Sequence, residues 1–378
     1  MEKRTTITQS LALAGLPHKV ATGGAEMQYM KNPFLGLGMS GLADPIPTPS
    51  TNKAAVASLL TQCPAHRQTP LVNATDLAAV LGVGSLHVKD ERTRMQLGSF
   101  KALGAAYVIA CDAQTAGGDF SQALAQETYV TASAGNHGMS VAAGARVFGA
   151  QAVIYLSKTV PDAFAQKLRG KGAQVVIEGE NYEASMQAAT EAAIQNGWRL
   201  LSDSSWDGYF EVPHRLMEGY LQMAAEAFEQ MPTEPTHIIL QAGVGGMAAA
   251  VAAMARETFG KKPVVVVVEP EAAPALYESI EQGKAVQTSG PVSSMGRLDC
   301  KEPSLIALKG LSRDADFFAL ITETEGSETM QTLAGFDLAT TPSGGAGLSF
   351  LLATEDSNTL GLGEKAQILA FLTEVSGP

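Results

Sequence analysis

Pro263-Val264-Val265-Val266-Val267-Val268-Glu269 is the stretch on which the fold turns. Five consecutive β-branched residues offer no polar face to water, so a strand made of them has to be covered on both sides. A strand with one wet face alternates instead; an unbroken apolar run opened by a proline reads as a central parallel strand. The theme recurs on either side. Short β-rich runs lie at 85–89, 129–132, 152–156, 174–177, 199–202, 237–241 and 264–268, and alanine-rich amphipathic segments lie between them at 140–148, 182–196, 214–231 and 247–259. Strands and helices in alternation, joined by short loops, predict an α/β doubly wound fold, parallel in the main, with helices on both faces. No fixed-period repeat or low-complexity tract interrupts the order. Residues 1–50, rich in Gly, Pro and Thr and closing on Pro45-Ile46-Pro47-Thr48-Pro49, read as an irregular N-terminal arm.

A chain of 378 residues can bury a core for two domains, and 46% hydrophobic with 17% charged residues is an ordinary globular balance. The formal net charge of −12, with no basic run longer than Lys261-Lys262, repels phosphate backbones, which argues against nucleic acid and anionic membrane as partners. No apolar stretch approaches the ~20 residues of a membrane helix, and the short run at 11–16 is too polar for a secretory signal. Cys63, Cys111 and Cys300 are odd in number and lack metal-like spacing, and the six histidines form no HExxH or i, i+4 pair. No metal site and a reducing, cytoplasmic setting are the expectation.

In such folds ligands sit where strands lead into helix N-termini. Three glycine-rich turns have that placement: Ser133-Ala134-Gly135-Asn136-His137-Gly138, Gly243-Val244-Gly245-Gly246-Met247 and Thr341-Pro342-Ser343-Gly344-Gly345-Ala346-Gly347. Glycine lets backbone N–H groups approach an anion, and the helix dipole adds partial positive charge, so phosphate or carboxylate is the natural guest. Taken singly, each turn reads equally well as a tight strand-to-helix connection. None is the dinucleotide fingerprint, because the second has Gly-x-Gly-Gly spacing and no suitably placed acidic residue follows.

Lys101 stands apart from the other lysines, in Gln96-Leu-Gly-Ser-Phe100-Lys101-Ala-Leu-Gly-Ala-Ala-Tyr107 at the start of an expected helix. An ammonium among small apolar residues is costly unless paired or neutralised, and a desolvated lysine is what condensation with an aldehyde requires. The plainer alternative is a lysine snorkelling to water from a helix end.

Ser99-Phe100-Lys101-Ala-Leu-Gly-Ala, Ser133-Ala-Gly-Asn-His-Gly, Gly243-Val-Gly-Gly-Met and Pro342-Ser343-Gly stand in this order and at these separations. The pattern resembles the fold-type II pyridoxal-phosphate (PLP) enzymes, the tryptophan synthase β-like group that includes threonine and serine dehydratases, from about Thr69 to near the C-terminus. A narrower set, Val88-Lys-Asp-Glu91, Asp203-Ser-Ser-Trp-Asp-Gly-Tyr209 and Val268-Glu-Pro270, is similar to the diaminopropionate ammonia-lyases, and Met217-Glu218-Gly219-Tyr220 is unlike ordinary threonine dehydratases.

The resemblance implies two doubly wound sheets, with 51–97 and 206–378 as a large PLP-binding domain, 98–205 as a small domain, and a homodimer. It implies pyridoxal 5′-phosphate as cofactor, held by Lys101 and moving a proton at Cα, with Phe100 near the ring and Asn136 on the ring oxygen. Gly243, Val244, Gly245, Gly246 and Met247 would cradle the phosphate, and Ser343 would face the pyridine nitrogen. Ser133, Ala134, Gly135 and His137 would hold the substrate carboxylate. Asp203 would act as a base or bind a distal amine; the alternative for it is a helix cap before Trp206. The implied reaction is α,β-elimination of ammonia from 2,3-diaminopropionate or a related β-amino-substituted amino acid. Dehydration of serine, threonine or 3-hydroxyaspartate is the second reading, and a non-catalytic PLP or amino-acid binding protein a third.

Two positions depart from the ammonia-lyase pattern. Ala134 stands where those enzymes carry an aspartate associated with the D-isomer, and alanine cannot take a proton. Arg297 and Asp299 stand where small neutral residues are usual. Facing substrate, they would select a polar or acidic β-substituent; facing solvent, they would do nothing.

Overall fold

A computed structural model describes residues 27–354 and 359–376. Two compact units emerge. One takes the described residues up to Thr51, Thr69–Arg92 and those from Met223 onward; the other takes Asn52–Gln68 and Thr93–Gln222. The strands are β1 (Tyr29–Lys31), β2 (Leu71–Asn73), β3 (Ser85–Asp90), β4 (Thr128–Ala132), β5 (Gln151–Leu156), β6 (Gln174–Ile177), β7 (Arg199–Leu200), β8 (His237–Gln241), β9 (Val264–Pro270), β10 (Phe317–Ile321) and β11 (Gln367–Leu372).

The first unit holds a seven-stranded sheet in the order β1-β10-β9-β8-β11-β3-β2. The valine run is its β9, parallel to β8 on one side and β10 on the other, with Val265–Val268 buried. β3, β8, β9, β10 and β11 run parallel; only the edge strands β1 and β2 pair antiparallel. One face packs Ile239, Val266, Val268, Ile368 and Ala370 against Leu348 and Phe350 of the helix Ala346–Ala353. Each of these side chains larger than Ala370 contributes about 1.5–3 kcal/mol when fully buried. The alanines of the helix Gly246–Phe259 are small enough to let it pack closely on the helix Leu305–Asp314.

The second unit holds an all-parallel sheet in the order β6-β5-β4-β7. Val130, Ala132, Val153 and Tyr155 pack against Ala189, Ala192 and Ala193 of the helix Tyr182–Asn196. The expected pair of mostly parallel sheets with helices is therefore what forms.

Several expectations change in detail. Residues 27–50 of the arm are not irregular throughout: Tyr29–Lys31 pairs with β10, a partnership that three residues of sequence cannot announce. The rest of the arm, 1–26, lies outside the described residues. β10 and β11 carry no clear sequence signal, because short apolar runs such as Phe317–Ile321 fit a buried helix as well as a strand, and only their neighbours decide. The 214–231 segment is two helices, Glu211–Gly219 and Leu221–Gln230, parted at Tyr220. β7 stops at Leu200 rather than 202, because the Tyr209 hydroxyl donates to Leu200 O (2.8 Å) and accepts from Ser202 N (3.1 Å), bending the chain out of the ladder. Among the described residues no helix is long and apolar enough to cross a membrane.

Candidate active site

Lys101 is the first residue of the helix Lys101–Ala116 in the second unit. Ser99, itself buried, accepts from its backbone N–H at 3.3 Å and so fixes the helix start. The side chain does not snorkel into bulk water. Its Nζ makes an ion pair with the Asp203 carboxylate and lies 5.6 Å from the centroid of the Phe100 ring, with the lysine side chain 21% exposed and that of Asp203 17%.

Asp203 follows β7 on a loop shaped by Tyr209, whose ring stacks on Trp206 at 4.4 Å while its hydroxyl clamps residues 200 and 202. It does not cap a helix: Trp206 and Tyr209 form an isolated bridge around a turn, and the next helix begins at Glu211. Burial by itself raises the Asp203 carboxyl, but the Lys101 ammonium beside it outweighs that and holds it well below the ordinary carboxylate range. Asp203 is therefore an anion at neutral pH, and the pair is charged on both sides.

The Ser133–Gly138 turn leads from β4 into the helix Asn136–Val147. Ser133 Oγ accepts from Gly135 N at 3.2 Å, closing the turn, and Ser140 donates to Asn136 O at 2.6 Å. Ala134 projects only a methyl group here. His137 is 5% exposed, and its Nε2 pairs with Leu201 O at 2.8 Å, tying the turn to the strand that leads to Asp203. Burial pushes the imidazole below its ordinary pKa, with the Lys101 charge acting the same way and Asp203 opposing. A neutral ring facing a carbonyl places its proton on Nε2, which leaves Nδ1 as an acceptor; it has no hydrogen-bond partner among the described residues.

In the first unit, the Gly243–Met247 turn joins β8 to the helix Gly246–Phe259. Gly245 lies at φ +93°, where a side chain is strained, and a Cβ there would stand 3.0 Å from both Ala307 and Leu276. No backbone N–H from Gly243 to Met247 hydrogen-bonds to a backbone acceptor among the described residues outside the helix. A run of free donors at a helix N-terminus suits a phosphate. Gln241, just before it, is anchored through Nε2 to Gly344 O (2.8 Å) and Phe371 O (3.1 Å), which ties this turn to the Thr341–Gly347 turn. Ser343, 3% exposed, accepts from Arg297 N at 3.0 Å, so its hydroxyl proton is left to donate elsewhere. Each unit by itself carries groups that suit PLP: an amine in the second, and free backbone donors with a neutral hydroxyl in the first.

Arg297 and Asp299 are spent within the first unit. Arg297 Nε lies 3.6 Å from the buried Glu374, and Asp299 pairs with Lys301 at 2.7 Å while accepting from Ser293 N at 3.3 Å. Leu298 and Cys300 pack against Gly243. The loop thus braces the cradle.

Sequence reasoning singles out Lys101, Asp203 and the three turns but overlooks the aromatic wall and gives the imidazole of His137 no part. Tyr220 packs on Phe100 with ring centroids 4.9 Å apart, and Tyr209 shapes the Asp203 loop. The only available signal is the unusual Met217–Tyr220 segment, which has no chemistry until its neighbours are known.

Comparison with known proteins identifies the family. The model of the pyridoxal-phosphate dependent enzyme family matches residues 63–374. The diaminopropionate ammonia-lyase of Salmonella typhimurium is 36% identical over 266 residues, 65% of this chain and 66% of that protein, just short of two thirds of its length. Its counterpart from Escherichia coli K12 is 32% identical over 336 residues, 82% and 84% of the two chains. The Escherichia coli enzyme solved in complex with D-serine aligns with a TM-score of 0.82 at 28% identity, covering 93% of this chain and 94% of that one. The same enzyme in complex with an aminoacrylate-PLP azomethine reaction intermediate gives 0.81 at 29% identity over the same shares. A lysine paired with a largely buried aspartate, an anion cradle and these relatives lead to one assignment: the chain belongs to the pyridoxal-phosphate-dependent enzyme family, alongside its ammonia-lyases.

Proposed function

We propose that this enzyme eliminates ammonia from 2,3-diaminopropionate or a related β-amino-substituted amino acid, giving a 2-oxo acid and a second ammonia on hydrolysis. The observation that carries the reading is the Lys101–Asp203 ion pair: a carboxylate held anionic beside the reactive amine is a receptor for a second amino group. The relatives at 32–36% identity support it.

In this reading Lys101 and Phe100 hold the cofactor's aldehyde end, Asn136 its ring oxygen, Gly243, Val244, Gly245, Gly246 and Met247 its phosphate, and Ser343 its pyridine nitrogen. Bound PLP supplies an electron sink that lets the Cα–H bond ionise. The Lys101 amine, set free when the substrate's α-amine takes its place on the cofactor, would take the Cα proton. The backbone from Ser133 through Ala134 and Gly135 to His137 binds the α-carboxylate at a helix N-terminus. Asp203 balances the distal ammonium until the Cβ–N bond breaks and its electron pair leaves with ammonia. The Ser343 hydroxyl is too weak an acid to protonate a pyridine, so the sink stays restrained and loss of the β-substituent is favoured over transamination. Ala134 provides no acid or base on its side of the substrate, which favours the L-isomer. The homodimer is inferred from the family resemblance. A cytoplasmic setting is inferred from three dispersed cysteines, a set that suits a reducing compartment.

Ala134 also gives the turn the Ser-Ala-Gly-Asn-His form of serine and threonine dehydratases, so dehydration of a β-hydroxy amino acid is the second reading. Purified PLP-loaded enzyme offered 2,3-diaminopropionate of both configurations, serine, threonine and 3-hydroxyaspartate decides between them. Pyruvate and ammonia from L-2,3-diaminopropionate, with little from the hydroxy compounds, is expected; the reverse preference transfers the assignment to the dehydratases.

A further inference from the structure

Tyr220 follows the last residue of the helix Glu211–Gly219 and is 2% exposed. Its ring lies tilted at 59° on Phe100, the neighbour of Lys101, and it fits because residue 104 is glycine: a Cβ there would stand 2.8 Å from Tyr220 Cε1. The phenol oxygen is buried and has no hydrogen-bond partner among the described residues. The other tyrosines around this region are satisfied: Tyr209 bonds to residues 200 and 202, and Tyr129 donates to Asp112 at 2.7 Å. A buried hydroxyl left unpaired is unfavourable in a folded protein and calls for an explanation, of which a ligand that completes it is one. This one is held un-ionised by burial and feels the charges of both Lys101 and Asp203, so it belongs to their neighbourhood.

We propose that Tyr220 is a specificity-determining residue whose phenol oxygen accepts a hydrogen bond from the distal ammonium of the substrate, beside the Asp203 carboxylate. This rests on the ammonia-elimination reading above. An ammonium carries three donors and no acceptor, so it is recognised by a set of acceptors rather than by a single charge. While Lys101 is tied to the cofactor's aldehyde, Asp203 lacks that ammonium as partner, and the distal ammonium of an arriving substrate is a cation of similar size to take its place. Asp203 supplies the charge. Tyr220, which cannot ionise, supplies an oriented dipole and a second acceptor. A β-hydroxyl offers one donor and a β-halide none, so the hydroxyl of Tyr220 discriminates in favour of the amine.

The test compares wild type and Tyr220→Phe in two ways. In cofactor-free protein, removing an unpaired hydroxyl leaves the melting temperature at or above that of wild type; a clear fall means that the hydroxyl has a structural partner, and overturns the proposal. In PLP-loaded protein, the ratio of kcat/KM for L-2,3-diaminopropionate to that for 3-chloro-L-alanine drops at least tenfold, mainly through KM. An unchanged ratio overturns the proposal while leaving the elimination reading intact. A wild type that turns over serine but not diaminopropionate refutes the elimination reading itself, and the amine assignment with it.

Discussion

The helix that presents Lys101 is set by a glycine on another helix, and Gly219→Ala tests that dependence. Gly219 ends the helix Glu211–Gly219 where it crosses the helix Lys101–Ala116. A Cβ added there would stand 2.6 Å from Leu103 O, 2.9 Å from Tyr107 Cβ and 3.0 Å from Gly104 Cα. Carbon contacts are comfortable at about 3.5–4.0 Å, so the shortfall is roughly 0.5–1 Å, and two of the three atoms are backbone that cannot rotate away. Overpacking of this kind costs about 1–3 kcal/mol, offset by up to about 1 kcal/mol because alanine is the better helix former. A net loss of about 1–2 kcal/mol is expected. Gly170, the last residue of the helix Asp162–Gly170, has nothing within 4 Å of where a Cβ would stand and provides the matched control, expected to be neutral or stabilised. Urea unfolding followed by circular dichroism measures both variants. Because Leu103 is two residues from Lys101, a helix pushed back by about half an ångström also misplaces Nζ, and turnover should fall by about tenfold. If Gly219→Ala proves as stable as Gly170→Ala, the crossing is looser than these distances require and Gly219 does not set the Lys101 helix.

Lys101→Ala should abolish 2-oxo acid formation and the cofactor's visible absorbance band while leaving the far-ultraviolet circular dichroism unchanged; retained turnover would remove the lysine from its role. Asp203→Asn keeps the shape but removes the anion, and a loss of about 10²-fold in kcat/KM for the diamino substrate is expected, against little change if the side chain only braces its loop. Glu269, at the end of β9 and 1% exposed, is pushed by burial from its ordinary 4.5 up to about 8, against the pull of the Leu276 and Tyr277 N–H donors. A pKa raised on folding means that the native state holds the proton more tightly, so the stabilisation is full below the unfolded value and is lost as pH rises through about 8. The melting temperature should therefore decline more steeply between about pH 5 and 9 in wild type than in Glu269→Gln; parallel profiles contradict the shift.

What the sequence determined by itself was everything written in short-range pattern. The valine run at 264–268 declared a doubly covered strand because no other local structure hides five β-branched side chains. The Gly243–Met247 and Ser133–Gly138 stretches were legible as strand-to-helix turns because glycine spacing and a following helix are local facts, while only the order of several such motifs along the chain pointed to a cofactor. Lys101 stood out through the motif around it and the resemblance that motif carries, since its apolar neighbours alone fit a lysine snorkelling from a helix end equally well. Tertiary structure alone decided which partners these groups meet. Lys101 and Asp203 are 102 residues apart, so the charge balance that makes the lysine useful appears only when β7 and its loop are in place. The strands β10 and β11 became strands because a parallel neighbour stood ready to pair, and Arg297 and Asp299 lost their apparent meaning when Glu374 and Lys301 took up their charges. The unsatisfied hydroxyl of Tyr220 belongs to the same class, since whether a polar atom lacks a partner depends on the packing around it.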